Sequence, residues 1–114
     1  MALLEIDKRR VMKIMDAYCD RRIPGSIHDQ VRLSYELRGN KLYLVESRQA
    51  FQAPGQWIRM KIAQFEFNPE TRKWKLYCFD RNDKRMHYPE HNEDSRLESL
   101  LAEVDNDPTG IFWG

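Results

Sequence analysis

The chain has 114 residues, 41% of them hydrophobic and 32% charged, the profile of one ordinary globular domain spanning 1–114. No apolar run approaches the ~18–20 residues that cross a bilayer as a helix, which excludes a helical integral membrane protein. The start Met1-Ala2-Leu3-Leu4-Glu5 meets an acid before an export signal's apolar core can form, and two distant cysteines, Cys19 and Cys78, make no disulfide framework; the expectation is a reduced, cytoplasmic protein.

The net charge of +1 conceals a split. Residues 1–88 carry 18 Lys/Arg against 11 Asp/Glu, whereas residues 89–114 carry only Arg96 against seven acids. Such segregation marks either a basic surface that meets polyanions or an acidic end that packs beside a basic body and largely cancels it. The second is the simpler expectation, because a dedicated nucleic-acid domain usually has a clear excess of positive charge.

Val11, Ile14, Met15 and Tyr18 predict a helix over about 7–22 with one buried face. Asp7 is its expected N-cap and Pro24-Gly25 its stop. Val31, Leu33, Tyr35 and Leu37 then alternate with polar neighbours, Gly39-Asn40 turns the chain, and Leu42 and Leu44 return it. A tight register opposes Leu37 to Leu42, Tyr35 to Leu44 and Leu33 to Glu46, so Glu46 lands on the apolar face and calls for a basic partner such as Arg48 or one on the helix. Residues 48–56, with Pro54-Gly55, read as a loop.

A third strand over about 57–67 slips phase between Ile62 and Ala63, the mark of a bulge. Asn68-Pro69-Glu70-Thr71 leads into a fourth strand at 72–80, and Asn82-Asp83 into a short fifth at 84–88. Trp74, Leu76 and Cys78 on one face, with Tyr77 and Phe79 on the other, make the fourth strand central. After a polar linker, Ser95-x-x-Glu98 is an expected capping box for a second helix that buries Leu97, Leu100, Leu101 and Val104. Pro108-Thr109-Gly110 turns the chain into Ile111-Phe112-Trp113-Gly114, which is expected to fold back and bury its rings, with Gly114's carboxylate near Arg9, Arg10, Arg21 or Arg22. The fold class is α+β: an N-terminal helix, a five-stranded antiparallel meander, a C-terminal helix and a docked apolar tail.

Several stretches carry a resemblance: Arg22-Ile23-Pro24, Val31-Arg32-Leu33-Ser34-Tyr35 closing at Gly39, Val45-Glu46-Ser47-Arg48, and Trp74-Lys75-Leu76-Tyr77 with Asp80-Arg81-Asn82. The most specific is the ending from Leu100 to Gly114, with its terminal Pro-Thr-Gly-Ile-Phe-Trp-Gly. Over nearly its whole length the chain resembles a bacterial domain-of-unknown-function family, DUF family 3024. The resemblance implies a compact bacterial domain and supplies no activity, substrate or catalytic residue.

Chemistry is sparse in the sequence. His87 and His91 have a His-x3-His spacing, but Tyr88-Pro89 breaks the helix that spacing needs. A tight turn at Asn82-Asp83 opposes Cys78 to His87, which reads as a buried thiol beside a histidine; no metal, cofactor or catalytic residue is expected. No nucleophile elbow or phosphate-cradling loop is present, and a metal-dependent enzyme is the remotest alternative.

Two binding classes remain. If both helices cover one side of the sheet, the other exposes Tyr77, Phe79, Met86 and Tyr88, and with Phe112 and Trp113 these form a candidate surface for a protein partner or a homo-oligomer. The leading expectation is therefore a non-catalytic, self-associating interaction module. The alternative is a domain for RNA or single-stranded DNA, in which Arg59, Lys61, Lys73, Lys75, Arg81 and Arg85 engage phosphates beside strand aromatics.

Overall fold

The computed structural model describes residues 3–113 apart from 24, 28 and 51. Helix α1 runs over Glu5–Arg22, and Leu4 takes its extended N-cap position without a side-chain cap. Asp7, the expected cap, lies inside the first turn instead, where its Oδ1 accepts from Arg72 Nη2 at 2.8 Å. A long-range ion pair has taken the carboxylate that a local cap would have used. The buried stripe is Val11, Met15 and Tyr18, with Ile14 at its margin. Ile23 ends the helix in an extended conformation, and the expected stop at Pro24 lies outside the described residues.

Six strands follow: β1 Val31–Arg38, β2 Lys41–Ala50, β3 Ala53–Asn68, β4 Lys73–Phe79, β5 Arg85–His87 and β6 Glu93–Asp94. They form one antiparallel sheet in the order β1-β2-β3-β4-β5, with β6 also pairing with β4. The first hairpin has the expected register, Leu37 opposite Leu42, Tyr35 opposite Leu44 and Leu33 opposite Glu46. Arg48 Nε donates to Glu46 Oε1 at 2.7 Å, so the acid on the apolar face has its expected partner. The phase slip is also a bulge: Leu44 faces Ala63 and Val45 faces Lys61, which leaves Ile62 unpaired.

Three boundaries differ from expectation, each for a local reason. The stretch 48–56 is not a loop; β2 continues to Ala50 and β3 begins at Ala53. Gln49 supports this extension, its Oε1 accepting from Gly55 N–H at 3.0 Å and its Nε2 donating to the Asp29 carbonyl at 2.6 Å. Gly55 sits at φ +94, a conformation that glycine takes without steric cost.

The β4–β5 turn holds three residues rather than two. Asp80 N–H donates to the Lys84 carbonyl, Asp80 Oδ1 accepts from the amides of Asn82 and Lys84, and Asp83 is left-handed at φ 64. The register is therefore Tyr77 opposite His87 and Cys78 opposite Met86, not Cys78 opposite His87. Helix α2, Leu97–Asn106, opens after Arg96 with no side-chain cap, so Ser95 and Glu98 form no capping box. Asp94 Oδ1 accepts from Arg96 N–H at 2.8 Å instead.

Both helices pack on one face of the sheet. Val11, Met15 and Tyr18 of α1 and Leu97, Leu100, Leu101 and Val104 of α2 meet Leu42, Leu44, Phe65, Trp74 and Leu76 in a single core. No helix of the described residues is long and apolar enough to cross a membrane.

The tail docks on its own chain. Asp107, left-handed at φ 43, ends α2. Its carboxylate accepts from the backbone N–H of Phe112 at 3.0 Å and of Trp113 at 2.9 Å. Trp113 Nε1 donates to the Val104 carbonyl at 2.9 Å, and the Phe112 ring lies 4.9 Å from that of Tyr88. The proposed ion pair of Gly114 falls outside the described residues. Deleting 111–114 is expected to lower the melting midpoint by several degrees, about the shift that 1 kcal/mol or more produces in a domain this size. Asp107→Ala, losing both acceptors and a residue tolerant of positive φ, is expected to cost about 1–3 kcal/mol, and Asp107→Asn less. Thermal melts of the three variants check this, and wild-type melting of Asp107→Ala contradicts it.

Candidate nucleic-acid interface

The alternation of the strands assigns every strand side chain to the helix-covered face or to the open one. Register places Arg32, Glu36 and Arg38 of β1 on the open face, with Lys41, Tyr43 and Val45 of β2. Trp57, Arg59, Lys61, Gln64 and Glu66 of β3 share it, as do Lys73, Lys75, Tyr77 and Phe79 of β4. Arg85 and His87 of β5 and Glu93 of β6 complete it. Eight Lys/Arg therefore stand against three Glu on the strands of one face, in a chain of net charge +1.

No helix covers this face, yet Tyr77, Val45 and Gln64 are buried. Their cover is a layer of long cationic side chains. Arg85 lies 4.2 Å over the Tyr77 ring, Lys61 5.3 Å over Phe79 and Arg32 4.2 Å over Trp57. Each stem covers apolar surface while its charged head stays at the water boundary. Arg85 Nη1 also donates to Gln64 Oε1 at 3.0 Å, and Tyr77 donates its hydroxyl to Glu66 Oε1 at 3.3 Å. Burial, then the Glu66 charge, push the Tyr77 phenol up, so it stays a donor.

The sequence-predicted residues separate cleanly on this frame. Arg59, Lys61, Lys73, Lys75 and Arg85 share the open face, and Arg81 stands exposed on the β4–β5 turn. The candidate apolar residues do not share one exposed face, although Phe79 and Phe112 line one cleft. Tyr77 is buried under Arg85, Tyr88 and Phe112 are buried in the core, Phe79 and Trp113 are half-buried, and Met86 is 37% exposed. Met86 and Tyr88 fall on the helix side, because the three-residue turn shifts β5 by one position. Tyr88 instead donates its hydroxyl to Glu103 Oε2 at 2.6 Å. Arg32, Arg38, Lys41 and Tyr43 are additional members of the face; period two along β1 and β2, carried through the first hairpin's register, was the signal for them.

A cleft of about 740 Å³ opens beside the β4–β5 turn, where Arg38, Tyr43, Arg59, Lys61 and Phe79 of the open face meet Ile111 and Phe112 of the tail. Its cations are partly engaged: Glu36 bridges Arg38 and Arg59, and Asp83 lies 3.3 Å from Lys61. The Cys78 thiol and the His87 ring point to opposite faces. Cys78 is in the core with its acidity suppressed by burial, and His87 packs against Tyr77 at 5.2 Å. Cys19 is likewise pushed up to about 11, by burial and then by Asp16 and Asp20. Among the described residues, no three His, Cys, Asp or Glu side chains are placed to hold a metal ion.

A family model, that of the domain of unknown function DUF3024, matches residues 3–114, and the chain belongs to that family. No curated protein and no solved structure matches it.

Glu36 gives this face a pH signature. The hydrogen bond from Arg59, foremost, holds its carboxyl below the ordinary 4.5. A depressed folded value adds stability that is fully present above pH 4.5 and is lost as pH falls through the lowered value. Glu36→Gln is therefore expected to show a shallower loss of melting temperature on acidification below that point. Equal acid sensitivity of the two proteins contradicts the assignment.

Proposed function

We propose that this DUF3024 domain is a non-catalytic binding module for single-stranded RNA or DNA, held across the open face of the sheet. The observation that carries this reading is the eight-to-three excess of Lys/Arg over Glu on that face. Phosphates supply most of the affinity of such contacts, and they need a track of cations rather than one deep pocket. Guanidinium planes and the exposed His87 ring offer flat surfaces on which unpaired bases stack. Binding rather than turnover follows from the site's composition. Glu36 and Glu93 are held in ion pairs with the face's own cations, Glu66 accepts from Tyr77, and the buried Cys78 thiol lies on the other side of the sheet.

Fluorescence anisotropy with a short labelled single strand tests the reading. Contact with four phosphates gives log K against log salt a slope of about −3, at ~0.7 per phosphate for single strands. Lys41→Ala with Lys75→Ala is expected to flatten that slope by about 1.4 while leaving the melting temperature unchanged. Two outcomes overturn the reading: no saturable binding at low salt, or a double variant that binds with the wild-type slope. Binding of an acidic peptide in place of oligonucleotide reassigns the face to a protein partner, and a dimer by light scattering revives self-association.

A further inference from the structure

On the helix-covered side, a groove of about 600 Å³ runs between α1, the β3–β4 turn and the start of α2. Its floor is apolar, with Ile14, Phe67 and Trp74. Its rim carries three cations and one exposed acid: Arg10 and Lys13 stand one turn apart on α1, and Arg96 faces them from the entry of α2, whose first turn also bears Glu98. Among the described residues these three form no close ion pair, although the charge of Arg96 acts on nearby Asp94.

The second observation is independent of charge. Asp7 lines the same groove, and its side chain is only 9% exposed. Arg72 engages Oδ1, but Oδ2 is buried with no hydrogen-bond partner. Buried polar atoms are almost always satisfied, so this acceptor marks a place for a donor. A carboxylate oxygen accepts and does not donate. Arg72 is itself held at φ 56, a left-handed conformation that its contacts with Asp7 and the Phe67 ring help to hold.

We infer that this groove binds a nucleotide, its base against the apolar floor with an N–H directed at Asp7 and its phosphate on Arg10, Lys13 and Arg96. An anion, a flat ring and an N–H donor are all required, and a nucleotide joins them in one molecule. Guanine fits the acceptor best, since its edge presents adjacent N–H donors where adenine presents a ring acceptor. The volume lies in the range of small-ligand sites. The α2 entry, with no side-chain cap, adds a favourable field for the phosphate. The groove and the open face of the sheet lie on opposite sides, so either site stands if the other fails.

The test is a titration of the full chain with guanosine 5′-monophosphate, guanosine and inorganic phosphate, followed by amide NMR shifts. The monophosphate is expected to move the amides of Arg72, Leu97 and Glu98 and to bind about fivefold or more tighter than either fragment. Lys13→Ala, at an exposed position, is expected to weaken it about threefold or more without changing the melting temperature, and Lys13→Arg to restore it. A strand with a 5′-phosphate that competes, where its 5′-hydroxyl counterpart does not, makes the source a strand end rather than a free nucleotide. No saturation by about 5 mM overturns the inference, as does phosphate binding as tightly as the nucleotide. Shifts confined to Tyr77 and His87 overturn it too and leave the sheet-face reading standing.

Discussion

Tyr18 donates its hydroxyl to Asp105 at 2.7 Å, and Arg22, one turn further along α1, reaches the same carboxylate at 3.6 Å while lying 4.5 Å over the Trp113 ring. This joint ties the first helix to the second and to the tail, across 87 residues of chain. Burial first, and then the Asp105 contact, push the Tyr18 phenol up, so it remains a donor at any physiological pH. With the two helices fastened to each other, both must lie on the same side of the sheet. The open face of the sheet follows from that one-sidedness.

A sheet covered on one face only is normally apolar inside and polar outside. Here the outer face still carries Tyr43, Val45, Trp57, Tyr77 and Phe79, which need cover. The chain meets that need with arginine and lysine stems, not a third helix. A cation over an aromatic face is worth about 0.5–1 kcal/mol at exposed sites, so each ring contact is weak, and Lys61 and Arg85 are held further by Asp83 and Gln64. On the proposed reading, the same residues shield the rings in the free protein and present charge to a ligand.

Elements that rest on local periodicity were legible in the sequence, and those that rest on turn geometry or long-range pairing were not. The stripe of α1, the first hairpin's register, the Glu46–Arg48 pair, the bulge at Ile62 and the tail's return each follow from residues close in sequence or from strict alternation. The β4–β5 register was lost on a single residue of turn length, decided by Asp80's side chain and the left-handed Asp83. That one position moved Met86 and Tyr88 to the helix side and His87 to the open face, and with them the expected apolar patch dissolved. Asp7 failed as a cap because Arg72, 65 residues away, claims it; no local pattern encodes that contact. Strand β6, two residues long, is too short for alternation to announce.

The charge split along the chain takes on a different meaning in three dimensions. The acids of the last quarter were expected to neutralise the basic body, and in sequence they nearly do. In the fold, however, Glu98, Glu103 and Asp105 ride on α2 and Asp107 caps it, on the same side as the six Lys/Arg of α1, while eight more Lys/Arg stand on the strands in front. An anion approaching the open face meets its eight Lys/Arg before the acids of α2, and Coulomb energy falls with distance. From the acidic segment, Glu93 of β6 reaches round to that face, 3.6 Å from Lys73. A near-neutral total charge and a basic sheet face are compatible because the acids of the last quarter sit on α2, beside the Lys and Arg of α1, and for the most part not on the strands.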